Sequence, residues 1–166
     1  MNFFSRVLRS HFSALGQKTK WGFLWRAWLE ATLSAFIVAN LLQYIFRFPQ
    51  RSDLTDLSPW RLALLVILVG PLLETLIFQF LPIETAQGLK WKGAYQFSIS
   101  IIPFALAHAL AGIPTVICAG IIGGFFFAFT YHRWKRESLL VGILMTFLLH
   151  ASFNITGVIG ALLIGR

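Results

Sequence analysis

Three ionisable side chains lie inside long apolar segments of this chain, where such groups are rare. Glu74, His108 and His150 each fall in a different apolar segment, and Asn154 follows His150 by four residues. A charge at the centre of a membrane helix costs on the order of 2.5–3.5 kcal/mol to insert, so a residue of this kind needs a partner, a cavity or a function. These four residues are therefore the candidate site.

The residue types suit attack of water on a carbonyl group. Glu74 and His108 together could deprotonate a water molecule, and His150 with Asn154 could donate hydrogen bonds to the oxyanion that forms. His150 and Asn154 share one helix face, and Thr146 continues that face by another four residues. At about 1.5 Å per residue, we expect each group several turns from its helix end and at similar depth. Interhelical hydrogen bonding and simple packing remain open alternatives for each residue alone.

The composition indicates the elements that must hold these residues. The chain has 166 residues, of which 57% are hydrophobic and only 12% charged, and its mean hydropathy is +0.74. Soluble domains carry a charged fraction of about 25%. The sequence therefore predicts a single membrane domain over residues 1–166, without a separate soluble domain.

Five apolar segments approach the roughly 20 residues that a spanning helix needs. The predicted helices cover residues 28–46, 59–81, 94–111, 114–131 and 139–163. Polar loops are predicted at 47–58, with Pro49, Asp53 and Asp56, and at 82–91, with Glu84. Apolar residues three or four apart in segment 1–22 predict an amphipathic helix on the membrane surface, with a disordered basic leader as the alternative. The fold class is an all-α polytopic bundle of about five spanning helices.

The basic residues that give the chain its net charge of +8 are expected at the membrane surface. Lysines and arginines cluster at the ends of apolar segments, where they can meet anionic lipid headgroups. No aromatic-basic recognition motif accompanies them, so nucleic acid is not an expected partner. Ten of the 14 basic residues fall on the side of the N-terminus and four on the other, which predicts a cytoplasmic N-terminus in a bacterial inner membrane.

Other polar and small residues in the apolar segments have structural explanations. Glu30 lies four residues after Arg26 and is expected to pair with it. Asn40 is expected to hydrogen-bond to another helix. Gly120 and Gly124 form a small-xxx-small pair, which predicts close helix packing.

The polar residues occur in three motifs that resemble those of the CAAX-processing and bacteriocin-processing membrane proteases, also called the Abi or type II CAAX prenyl endopeptidase family. The family shows Glu-Glu-x-x-x-Arg, then Phe-x-x-x-His, then His-x-x-x-Asn or Asp. Here the motifs fall at residues 74–79, at Phe104 to His108, and at His150 to Asn154. The resemblance covers about residues 59–158.

The resemblance implies an intramembrane endopeptidase that cuts near a membrane-embedded or C-terminal tail, or a leader, of a peptide or protein. It implies that Glu74 and His108 activate water and that His150 and Asn154 stabilise the oxyanion. Its implied fold is a helical bundle around a cavity that opens to one side. The expected mechanism uses no cofactor. The alternative is a zinc ion held by Glu74, His108 and His150.

Two positions depart from the family pattern. Thr75 replaces the second acidic residue and Gln79 replaces the arginine, so Gln79 can only hydrogen-bond where the family has a charge. With Phe104 and Thr146, they are the expected supporting residues. One alternative function is a catalytically inactive relative that acts as a membrane scaffold or an immunity-type interaction protein. Another is haem ligation by two histidines. Because the chain is short for the family, a partner helix or a second copy could complete the cavity.

Overall fold

The computed structural model describes residues 3–16, 18–48 and 58–164, and its regular structure there is entirely helical. The all-α prediction is confirmed. Most of the predicted loop 47–58, with Pro49, Asp53 and Asp56, lies outside the described residues.

The described residues form a short first helix and five apolar helices. They are α1 (Phe3–Gly16), α2 (Lys20–Phe46), α3 (residues 59–88), α4 (Gly93–Ala107), α5 (Ile113–Trp134) and α6 (Leu139–Ile164). Among the described residues, four helices are long and apolar enough to cross a membrane, and α4 is a shorter apolar helix. The chain is therefore an integral membrane protein, as its composition predicts.

Wider π turns interrupt α3 at Ala63–Val69 and at Thr75–Phe80. Each π turn ends two residues before a proline, Pro71 or Pro82. Proline cannot donate the backbone hydrogen bond of a regular α-helix, and a π turn is one way for a helix to accommodate the lost bond. The helix therefore continues through residues 82–88, and the predicted loop there was wrong.

The expected limits of two other helices were also wrong. Helix α2 begins at Lys20, eight residues before the predicted start, because Thr19 caps it by accepting a hydrogen bond from the backbone N–H of Gly22. Helix α4 ends at Ala107, four residues before the predicted end, and a short 3₁₀ turn at Ala109–Ala111 follows it.

Consecutive long helices run in opposite directions, which gives the bundle two distinct ends. One end holds residues 18–20, 84–93 and 133–139, and we call it the basic end. There Lys20 Nζ lies 2.8 Å from Glu137 Oε2, and Lys135 Nζ lies 2.8 Å from Glu84 Oε1. The other end, which we call the opposite end, holds residues 46–48, 58–62 and 107–113.

Glycines let α5 approach α4 closely. A Cβ atom on Gly120 would lie 2.6 Å from Ala105 Cα, and one on Gly124 would lie 2.9 Å from Phe104 Cδ1. The predicted packing role of this glycine pair is confirmed.

Helix α1 packs against the bundle through its last turns. The Phe12 ring contacts the rings of Phe125 and Phe129 at centroid distances of 5.3 and 5.1 Å, and Leu15 is buried. The predicted N-terminal helix is thus present, and its location at the membrane surface stays a prediction.

Two predicted polar contacts were wrong. Glu30 Oε2 lies 2.9 Å from His11 Nε2, so its partner comes from α1 and is not Arg26. Asn40 donates to the Phe36 carbonyl of its own helix at 2.8 Å and not to another helix. Its side chain is exposed among the described residues and bonds locally to its own helix.

Candidate active site

The broken geometry of α3 positions Glu74. This residue ends a single α-helical turn, Gly70–Glu74, between the two π turns. A Cβ atom on Gly70 would lie 2.7 Å from the Leu65 carbonyl oxygen, so only glycine fits this approach without a shift of the backbone. The Glu74 side chain is about one third exposed, at 34%, and faces a cavity.

His108 is the residue at which α4 ends. The prediction that it lies several turns from its helix end was wrong. Gly112, with a φ of 93°, and Pro114 turn the chain back towards α5, so the regular helix stops at Ala107. His108 Nδ1 lies 2.8 Å from the Phe104 carbonyl oxygen. Because a carbonyl only accepts, Nδ1 carries the proton in this contact and Nε2 is left as the basic nitrogen.

His150 lies on α6 in direct contact with Glu74. Its Nε2 atom is 3.4 Å from Glu74 Oε2, at the long end of hydrogen-bond range. The imidazole stacks on the Phe127 ring at 4.1 Å with an interplanar angle of 24°. The ring is almost fully buried, and its Nδ1 has no hydrogen-bond partner among the described residues. Packing therefore fixes the plane of the imidazole and leaves Nε2 directed at the carboxyl group.

Asn154 joins α6 to the first π turn of α3. Its Nδ2 atom donates to the Val66 carbonyl oxygen at 2.8 Å. A π turn changes the backbone hydrogen-bond pattern, and such turns are frequent at functional sites. One N–H of the amide is held by this bond, and the second has no partner among the residues that the structure describes, so it can donate to a substrate.

Glu74, His108 and Asn154 line one cavity of about 660 Å³ between α3, α4, α5 and α6. His150 lies beside this cavity, where its Nε2 atom contacts the Glu74 carboxyl group. The rest of the lining is apolar or small and includes Leu65, Ala107, Leu110, Ala119 and Phe153. The four predicted site residues thus come together from three helices, while their catalytic roles stay predictions.

The supporting residues have different surroundings. Phe104 lies between the two histidines, with ring centroids 4.6 Å from His108 and 5.6 Å from His150. Thr75 and Gln79 are completely buried, and their side-chain polar atoms find no hydrogen-bond partner in the described part of the chain. Thr146 donates to the Gly142 carbonyl of its own helix at 2.8 Å, so its hydroxyl proton is directed away from the cavity.

The alternative metal site requires three ligands close together. Across residues 3–16, 18–48 and 58–164, no group of three His, Cys, Asp or Glu side chains lies close enough to hold a metal ion. The types of Glu74, His108 and His150 suit zinc, and the choice between a metal-free and a zinc mechanism stays a prediction.

Three features of the site have no signal in the sequence motifs. The Val66 carbonyl is a backbone group whose role depends on the π turn, and Gly70 matters because of that same turn. Phe127 is one of several phenylalanines in α5, and only the packing shows that it stacks on His150.

Comparison with known proteins gives one family match. The family model described as Type II CAAX prenyl endopeptidase Rce1-like matches residues 56–156, which include all three motifs. Neither the curated proteins nor the solved structures give a match to the chain.

Proposed function

Because the chain belongs to the type II CAAX prenyl endopeptidase Rce1-like family, we propose that it is an intramembrane endopeptidase. The observation that carries this proposal is the cavity into which α3, α4 and α6 bring Glu74, His108 and Asn154, with His150 3.4 Å from the carboxyl group. The proposed substrate is a peptide or protein whose scissile bond lies near a membrane-embedded segment, a tail or a leader.

The proposed first step is activation of a water molecule. The Glu74 carboxylate and the His108 Nε2 atom are the two proton acceptors that face the cavity. A water held between them loses a proton as its oxygen attacks the carbonyl carbon of the scissile peptide bond. His108 is held for this step by its bond to Phe104, which leaves Nε2 as the acceptor.

Stabilisation of the oxyanion is the second requirement. The second N–H of Asn154 is one donor on α6. His150 Nε2–H becomes the other once Glu74, its partner at 3.4 Å, has taken the proton from water. Fixed donors in a partly dry site stabilise developing negative charge without reorganisation. The proton taken from water then passes to the leaving nitrogen as the tetrahedral intermediate collapses. The products are a new carboxyl group and a new amino group.

The test is cleavage by the purified protein in lipid vesicles. A mixture of peptides with hydrophobic ends is incubated in water enriched in ¹⁸O, and new carboxyl termini that carry the label are identified by mass spectrometry. We expect cleavage by the wild type and none by H108A, with both proteins folded alike. Cleavage that persists in H108A would contradict the mechanism. A rate that a zinc chelator abolishes would point to a metal enzyme instead.

An inactive scaffold makes the opposite prediction in cells. If the chain acted only through protein contacts, a variant such as H108A would keep its full biological effect. A peptidase loses that effect together with cleavage.

A further inference from the structure

We propose that the cavity opens at the extracytoplasmic surface of the membrane, so that the substrate is a polypeptide segment presented from that side. The identity of the substrate as a peptide rests on the function proposed above. The direction of opening rests on separate observations, which are the position of the cavity along the helices and the distribution of charge.

The cavity lies in the half of the bundle next to the opposite end. Leu110 and Ala111 line it from the connection between α4 and α5, which is part of that end. The Leu110 side chain is completely exposed there. On α6 the lining begins at Phe153, which is 14 residues after Leu139, or about 21 Å along the helix from the basic end.

Packed side chains close the path towards the basic end. Ile83, Ala128 and Tyr131 form a buried cluster beyond Glu74 along α3 and α5, and Phe97 and Ile143 pack against it. The ion pair of Glu84 with Lys135 lies beyond this cluster. A substrate therefore reaches the carboxyl group from the opposite end or sideways from the lipid at that depth.

The charges orient the two ends. Eight basic residues lie in or near the segments that form the basic end, and all five lysines are among them: Lys18, Lys20, Arg26, Lys90, Lys92, Arg133, Lys135 and Arg136. Four fall on the other side by sequence, two of them outside the described residues: Arg47, Arg51, Arg61 and Arg166. Basic residues in short segments beside membrane helices stay preferentially in the cytoplasm, so the basic end faces the cytoplasm.

The position of the cavity and the orientation of the two ends together restrict the substrate class. A tail that remains in the cytoplasm would have to pass the packed cluster around Tyr131 to reach Glu74. A segment that has been translocated, or the outer end of a membrane helix, reaches the cavity directly. The proposed substrates are therefore translocated leaders and tails or the outer ends of membrane helices. C-terminal tails held on the cytoplasmic side are not among the proposed substrates.

Cysteine labelling tests the orientation without using catalysis. The single native cysteine is replaced in C118S, and one cysteine is then placed at the opposite end by L110C or at the basic end by G88C. Leu110 is completely exposed, and a side chain at Gly88 would meet no atom within 4 Å. Neither substitution removes a charge. W60C and G93C form a second matched pair.

A maleimide that cannot cross membranes is applied to intact spheroplasts and to lysed ones. We expect L110C and W60C to react in intact spheroplasts, and G88C and G93C to react only after lysis. The reverse pattern, or reaction of both ends from outside, would overturn the proposed orientation. All four must react after lysis and unfolding, which confirms that each thiol is present.

Cleavage of a two-sided reporter completes the test. A membrane protein carrying the same cleavable segment at the outer or the inner end of its helix is expressed with the wild type. We expect at least tenfold more cleavage of the outer segment, and preferred cleavage of the inner one would overturn the proposal. No cleavage of either segment, together with the expected labelling, would contradict the peptidase function and leave the orientation supported.

Discussion

Replacing Glu74 by glutamine separates catalysis from folding. The amide has nearly the shape of the carboxyl group and can still meet His150 Nε2 across the 3.4 Å contact, but it cannot accept a proton from water. General base catalysis contributes about 10²–10⁴-fold, so E74Q should lower kcat by about 10²-fold or more, or about 2.7 kcal/mol or more of transition-state stabilisation. Because the side chain is one third exposed in a cavity, the free energy of unfolding should change by less than about 1 kcal/mol.

Glu84 on the same helix provides the matched control. It accepts hydrogen bonds from Tyr131 and Lys135 at the basic end, and the Lys135 side chain is only 7% exposed. E84Q leaves that ammonium without its anionic partner and should cost about 1–3 kcal/mol of stability. Its cleavage rate per folded molecule should match the wild type.

The assay combines two measurements on each variant in the same vesicles. Initial cleavage rates give kcat, and unfolding monitored by tryptophan fluorescence gives stability. We expect opposite outcomes, with activity lost in E74Q and stability lost in E84Q. If E74Q kept more than a tenth of the wild-type kcat, Glu74 would not be the base and the assignment of the cavity would fail.

Three further predictions test other parts of the structure. N154A should lower kcat by about 10²–10³-fold with a small change in KM, because it removes an oxyanion donor, and an unchanged kcat would exclude that role. G120A should destabilise the protein by about 1–3 kcal/mol, because the new Cβ meets the backbone of α4. In the same unfolding measurement G160A should be neutral, because a Cβ there meets no atom within 4 Å. Q79R alone should reduce folded yield because it buries an unpaired charge, and T75E with Q79R should recover most of it. Equal yields of the single and double variants would show that the two positions do not interact.

Much of the fold follows from features that repeat along the sequence. The apolar segments are long enough to fix the number of helices, and the small residues of α5 reveal the face that packs against α4. The convergence of the site could also be predicted from the sequence. Ionisable side chains such as Glu74, His108 and His150 are costly in membrane helices unless they share a polar site. These predictions depend on composition and spacing, so small errors in the predicted helix limits do not change them.

The details that failed depend on the local course of the backbone. The continuation of α3 past Pro82 requires a π turn, and hydrophobicity carries no signal for the resulting hydrogen-bond pattern. His108 was placed inside a helix because alanines favour helix on both sides of it. The positive φ of Gly112 turns the chain after that helix. Glycine adopts positive and negative φ with similar ease, so the residue type alone does not tell which backbone conformation it takes.

The family's Glu-Arg pair is replaced here by Thr75 and Gln79, and the structure shows how the site can do without it. Both residues are completely buried, where an unpaired arginine would be costly and a neutral amide is far less so. The carboxyl group of Glu74 is instead held from α6, through the contact with His150. The bond from Asn154 to Val66 ties the same two helices together four residues further along α6. Two polar contacts between helices therefore hold this part of α3, so the position of α6 controls the geometry of the proposed base.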